Sequence, residues 1–171
     1  MVQRIYLIGF MGSGKSTVGK RLALRLKYSF VDMDAEIEKE VGMSIGRIFE
    51  EKGEDEFRRL EHEVVYRTSE MEKVVISTGG GVPCFFDNME IINRNGISIY
   101  LKMTSEDLLK RLKGSKYERP LIRDLSNDEM ADYIREKLRE REPYYLKSKY
   151  VIDGKDPDIS DLIKLATKEE K

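Results

Sequence analysis

Short runs rich in β-branched residues alternate with longer segments of helical period along the chain, and this alternation limits the possible folds more than any other feature. Arg4 to Ile8, Phe30 to Asp32, Val74 to Thr78, Ile97 to Lys102 and Tyr150 to Ile152 read as strands. Thr17 to Lys27, Asp34 to Val41, Ile45 to Glu51, Asp55 to Met71, Asn88 to Asn93, Ser105 to Lys113, Asn127 to Lys147 and Ile159 to Thr167 read as helices. Parallel strands cannot be joined by tight turns; each needs a crossover, and helical crossovers cover both faces of the sheet. The pattern therefore predicts an α/β fold with five buried parallel strands. Helix starts agree with it: Ser44 precedes an apolar-periodic run, Thr104 is followed by Glu106 and Asp107, and Ser126 with Glu129 forms a capping box. No repeat or Pro/Gly-rich linker divides the 171 residues, so a single domain over residues 1–171 is expected.

Composition excludes several classes. A 40% hydrophobic share suits a packed globule and rules out disorder throughout, although 37% charged residues is well above the usual share of about 25%. Lys and Arg number 31 against 32 Asp and Glu, so no overall field draws the chain to nucleic acid or to an acidic membrane. Any attraction for anions must be local. The first apolar run, Ile5 to Met11, falls far short of the roughly 20 residues that cross a bilayer and reads as a buried strand. One cysteine, Cys84, and one histidine, His62, leave neither an internal disulfide nor a zinc-type cluster, and a reducing, cytoplasmic setting is expected.

The strongest local signal is Gly9-Phe10-Met11-Gly12-Ser13-Gly14-Lys15-Ser16, which matches the P-loop pattern at every fixed position and lies between a predicted strand and helix. Its glycines let successive backbone N–H groups converge on phosphates, Lys15 can bridge the β- and γ-phosphates, and Ser16 can ligate Mg2+. The chain has no Asn-Lys-x-Asp pattern for reading guanine and is short for a motor ATPase, which leaves kinases of small metabolites as the remaining large class.

Other residues speak to the acceptor. Asp32 and Asp34 close the second strand at the carboxyl edge of the sheet, where i and i+2 carboxylates share one side of extended backbone. One suits the hydration shell of a metal and the other suits orienting or deprotonating a hydroxyl, while helix capping is the plainer use of both. Gly79, Gly80 and Gly81 follow the third strand and remove side chains where something must approach the backbone; a turn needing positive φ would explain one or two of them. Arg58 and Arg59 lie together in a charged helical run, and the residues alone do not choose between them. Arg141 sits in Arg139-Glu140-Arg141-Glu142-Pro143, where ordinary helical ion pairing would also account for it. From Lys110 to Arg123 there are six basic residues and one acid, with Gly114-Ser115 and Arg119-Pro120 breaks, which reads as a mobile basic loop or lid instead of a continuous helix. His62 and Cys84 read as packing residues.

Taken in order, Gly9 to Thr17, Asp32-x-Asp34, Phe57-Arg58, Gly79-Gly80-Gly81, Arg119-Pro120-Leu121 and Arg141-x-Pro143-x-Tyr145 resemble the shikimate kinases over roughly Ile5 to Ile152. The resemblance implies a five-stranded parallel sheet of order 2-3-1-4-5, a substrate-binding part at residues 33–61 and a lid at 110–124. It implies transfer of the ATP γ-phosphate to the 3-hydroxyl of shikimate, on the route to chorismate and the aromatic amino acids. Gly12, Ser13, Gly14, Lys15, Ser16 and Thr17 would hold the phosphates, Ser16 would ligate Mg2+ and Asp32 would support it through water. Asp34 would meet shikimate hydroxyls and act as base. Arg58 and Arg141 would clamp the carboxylate, with Gly79, Gly80 and Gly81 giving backbone contacts; Arg119 would reach the transferring phosphoryl and Arg111 would stack near adenine. The implied partners are ATP and shikimate, with no nucleic acid or membrane, and the protein is expected to be a monomer. Two alternatives stay open: a kinase for another small hydroxylated acid such as gluconate, and a catalytically silent nucleotide-binding module.

Overall fold

The structure is a computed structural model and describes residues 2–115 and 122–167. Five parallel strands, β1 (Arg4–Ile8), β2 (Ser29–Asp32), β3 (Val74–Ser77), β4 (Ile97–Lys102) and β5 (Tyr150–Asp153), form one sheet in the order 2-3-1-4-5. Among the described residues, seven α-helices cross between or follow them: α1 (Lys15–Leu26), α2 (Met33–Val41), α3 (Ile45–Ser69), α4 (Asn88–Asn95), α5 (Ser105–Lys113), α6 (Asn127–Tyr145) and α7 (Ile159–Thr167). The alternation predicted from hydrophobic period is therefore the observed one. The two helices expected on either side of residue 53 are one span, α3, broken at Gly53 (φ 83, ψ 171).

Strand period divides the core in two. On β1, Tyr6 and Ile8 face a cluster built with α2, α3, α4 and α6, while Ile5 and Leu7 face a second cluster built with α1 and α7. All four are completely buried, as a strand at the centre of a doubly covered sheet must be. Three caps foreseen in the sequence are made: Ser44 accepts from Arg47 N, Thr104 from Asp107 N, and Ser126 with Glu129 forms the reciprocal box. The basic segment begins within the helix read over Ser105 to Lys113. Lys110 to Lys113 form the last turn of α5, as expected, so the lid expected at 110–124 shares its first residues with a helix. Arg119 and most of the lid core, residues 116–121, lie outside the described residues.

Candidate active site

Strand register brings the phosphate loop and its neighbours together. Ser77 pairs with Leu7 of β1 on one side and with Asp32 of β2 on the other, so the ends of three strands deliver Gly9, Asp32 and Ser77 to one edge. From that edge residues 9–14 turn into α1, with Gly14 left-handed at its N-cap (φ 89). The helix has no side-chain cap and no acid in its first turn, which suits an N-terminus that receives an anion. Lys15 is buried and folded over the loop, its Nζ donating to Gly9 O at 2.7 Å and Phe10 O at 2.9 Å. Ser16 Oγ donates to Asp32 Oδ2 at 2.6 Å and lies 3.2 Å from Ser77 Oγ.

This donor set is all oxygen and carries one carboxylate. It fits Mg2+, a hard cation that keeps several waters and shares its shell with substrate phosphates. Among the described residues no group of three or more His, Cys, Asp or Glu would hold a metal ion without such help. Asp32 also accepts from Ala35 N through Oδ1, so one oxygen caps α2 while the other meets Ser16. The expected common side for Asp32 and Asp34 is not found. β2 ends at Asp32, and Asp34 belongs to the first turn of α2, where helical rotation carries it to the glycine run.

The six residues expected on the acceptor side, Asp34, Arg58, Gly79, Gly80, Gly81 and Arg141, line one cavity of about 410 Å3 beside the phosphate loop. None of the three glycines has positive φ, so a turn requirement does not explain the run. Crowding does. A methyl group on Gly79 would stand 2.7 Å from Glu61 Oε1 and 3.1 Å from Asp34 Oδ1. On Gly80 it would stand 3.1 Å from Arg141 Nη1 and 3.6 Å from Met11 N of the phosphate loop. On Gly81 it would stand 2.2 Å from Arg58 Nη1. The run thus lets two guanidiniums and two carboxylates gather against bare backbone.

The structure separates the two arginines that the sequence left equivalent. Arg59 points to solvent and pairs with Glu56 and Glu63. Arg58 is buried: Nη1 donates to Glu61 Oε2 at 2.7 Å, Nε and Nη2 donate to Glu54 Oε1 at 3.2 and 3.1 Å, and its guanidinium carbon lies 4.2 Å from the Phe85 ring centre. Burial opposes its charge, but Glu61 and Glu54 hold its pKa above the ordinary value. Burial pushes the Glu61 carboxyl up to about 7 against the pull of Arg58, and Asp34 adds to the rise. Arg141 reaches the cavity from the end of α6 and lies 5.7 Å from the Phe10 ring centre.

Sequence reasoning gave no role to Glu61, Ser77 or the hydroxyl of Tyr145. Glu61 had a signal: it falls with Phe57, Val64 and Thr68 on the buried stripe of α3, where an acid requires a partner. Ser77 and Tyr145 had none, because their contacts depend on strand register and on where α6 ends. Arg111 lies on α5, beside Gly14 of the phosphate loop, and donates to the carbonyls of Gly154 and Lys155 beyond β5. His62 shares a hydrogen bond with Asn88 Oδ1, and Asn88 Nδ2 donates to Val82 O just after the glycine run. Burial pushes the Cys84 thiol up to about 11, so it is not a ready nucleophile.

A phosphate loop set at the centre of this sheet order, with a cavity lined by Arg58, Arg141 and several acids against the next strand end, places the chain among the P-loop kinases of small molecules. The model of the shikimate kinase family matches residues 11–168, and the chain belongs to that family. It is 42% identical over 165 residues to a shikimate kinase of Parabacteroides distasonis, covering 94% of this chain and 95% of that relative. Among solved structures, the shikimate kinase from Bacteroides thetaiotaomicron superposes with a TM-score of 0.93 at 38% identity, over 96% of this chain and 98% of the other. The shikimate kinase from Acinetobacter baumannii in complex with shikimate gives 0.85 at 36% identity, over 96% and 90%. No helix among the described residues is long and apolar enough to cross a membrane.

Proposed function

We propose that the enzyme transfers the γ-phosphate of ATP to the 3-hydroxyl of shikimate, giving shikimate 3-phosphate. The observation that carries this reading is the pair Arg58 and Arg141 on either side of the Gly80–Gly81 peptide, within reach of the phosphate loop. Two guanidiniums around bare backbone suit a carboxylate, and an acceptor gripped there presents its ring toward Asp34 and the phosphates. Family membership and the shikimate named with a relative of 36% identity support the same choice.

In this reading Gly12 to Thr17 and the N-terminus of α1 bind the phosphates, and Lys15 leaves the Gly9 and Phe10 carbonyls to meet the β- and γ-phosphates. Ser16, with Asp32 acting through water, would hold Mg2+, which would supply charge neutralisation on those phosphates when bound. Asp34 orients the 3-hydroxyl and takes its proton as the oxygen attacks the γ-phosphorus and the bond to the β-phosphate oxygen breaks. Arg58, Arg141 and the glycine run hold the acceptor in line, and positioning with electrostatic stabilisation supplies most of the acceleration. Arg111 borders the nucleotide site, and Arg119 approaches the transferring group from the lid. Residues 33–61 serve as the substrate-binding part and 110–124 as the lid of one domain, acting as a cytoplasmic monomer.

ADP release measured with Mg-ATP and shikimate, against gluconate and no acceptor, tests the reading. Shikimate-dependent release with the 3-phosphate confirmed by mass supports it. Turnover of gluconate alone would assign the site to another hydroxylated acid, and ATP binding without any turnover would leave a silent nucleotide-binding module.

A further inference from the structure

We infer that the Tyr145 hydroxyl is a positioning group for the carboxylate end of the acceptor site: by holding the Gly80 carbonyl it turns the Gly81 amide toward the space between Arg58 and Arg141. Tyr145 is the last residue of α6 and completely buried, and its hydroxyl donates to Gly80 O at 2.6 Å. The neighbouring carbonyls are satisfied within the loop, Gly79 O by Val82 N at 3.1 Å and Gly81 O by Cys84 N at 2.9 Å. Gly80 O instead takes its donor from another element, so the orientation of the Gly80–Gly81 peptide is set from α6.

The consequence follows from peptide geometry. The described residues contain no cis peptide, and in a trans peptide the C=O and the next N–H point in opposite directions. Fixing Gly80 O on Tyr145 therefore aims Gly81 N–H away from the Tyr145 hydroxyl. The two guanidiniums flank this same peptide, Arg141 against Gly80 and Arg58 against Gly81, so a carboxylate held by both lies beside that N–H.

Packing makes the hydroxyl a rigid point. The Tyr145 ring lies 5.1 Å from that of Tyr100, and Tyr100 donates to Glu142 Oε1 at 3.1 Å, next in sequence to Arg141. Arg141 and Tyr145, four residues apart, share a face of α6, so one docked helix end delivers both the guanidinium and the hydroxyl that orients the amide beside it. A ring needed for packing alone would be better served by Phe, since a buried hydroxyl is costly unless bonded.

This inference rests on reading the cavity as a carboxylate site, and the test separates the two. Wild type and Tyr145→Phe are assayed with shikimate and with its primary-alcohol analogue, in which the carboxylate is reduced. In the variant, the shikimate KM is expected to rise about tenfold, and the preference for shikimate over the alcohol to fall by the same factor, with the ATP KM unchanged. A loss equal on both acceptors, or a lower melting temperature with no selective change, overturns the positioning role. A wild type that does not phosphorylate shikimate at all overturns the carboxylate reading itself. Should the variant not fold, the wild-type Gly81 amide resonance decides: it is expected to move downfield with shikimate and not with the alcohol, and no movement refutes the inference.

Discussion

Replacing Gly81 with alanine isolates what the glycine run is for. Gly81 has φ −87 and ψ −16, a conformation alanine adopts freely, so the backbone gains about 0.4–1 kcal/mol from the stiffer unfolded chain. The new methyl, however, stands 2.2 Å from Arg58 Nη1 and 2.8 Å from its guanidinium carbon, where ordinary contacts begin near about 3.5 Å. The guanidinium must retreat by more than about 1 Å, yet Glu61 holds it at 2.7 Å and Phe85 covers it. Losing that charged hydrogen bond costs about 1.5–3 kcal/mol, leaving a net destabilisation of about 0.5–2.6 kcal/mol. The functional loss is larger, because a desolvated charged pair to the substrate contributes about 2–5 kcal/mol, or about 30-fold to several thousandfold in kcat/KM. Steady-state kinetics should show that loss for shikimate with the ATP KM within about twofold, alongside a urea denaturation curve confirming the folded state. Gly42→Ala is the opposite control: φ is +72 with open space around it, so strain should lower stability and leave the kinetics alone. A folded Gly81→Ala enzyme with kcat/KM for shikimate within threefold of wild type would refute the crowding argument.

Four further substitutions probe the cavity and its surroundings. Arg58→Ala should lower kcat/KM for shikimate by about 30-fold or more while Arg59→Ala changes it less than about twofold, since the exposed Arg59 pairs with surface acids; equal effects in the two assays would overturn the assignment. Glu54→Gln should lower the shikimate KM by up to about fivefold, because an exposed carboxylate on Arg58 Nε and Nη2 competes with the substrate at a cost of about 0–1 kcal/mol; a raised KM would make Glu54 a support instead. Glu61 has its pKa lifted from 4.5 to about 7, so between those values the folded state holds a proton that the unfolded chain has released, and stability falls as pH rises through the window. Urea unfolding at pH 5, 6 and 7 should show wild type losing on the order of 1 kcal/mol per pH unit relative to Glu61→Gln, and parallel profiles would contradict it.

Much of this architecture is legible in the chain because it depends on short-range patterns. Strand runs, the Gly-Lys-Ser turn and the caps at Ser44, Thr104 and Ser126 each follow from a few neighbouring residues, and the parallel sheet follows from their alternation. The pairing of Arg58 with Glu61 was within reach, since a three-residue step along a buried helical face brings such groups together. Other features depend on distant parts of the fold. Asp34 turns away from Asp32 because β2 ends where α2 begins, and a boundary of one residue is beyond what pattern reading resolves. The bond from Tyr145 to Gly80 spans 65 positions, and Ser77 meets Ser16 only through the register of β1, β2 and β3.

If the cavity takes the carboxylate proposed above, it must also remain tolerable when it holds none, and the two carboxylates on Arg58 divide that work. Glu61 is 1% exposed, so parting it from Arg58 would leave a buried carboxyl without its partner, at a cost of about 1.5–3 kcal/mol. The Glu54 side chain is 56% exposed and recovers solvation on release, which makes its contact worth about 1 kcal/mol at most. On the proposed reading an incoming carboxylate would displace Glu54 and leave Glu61 in place, so the buried charge would stay balanced throughout binding. Arg58 would then exchange a surface partner for the substrate without moving, and the absence of Cβ atoms at Gly80 and Gly81 would let the exchange happen against the backbone. The elevated Glu61 pKa belongs to the same arrangement, because a carboxyl that can take up a proton limits the penalty whenever Arg58 is drawn away.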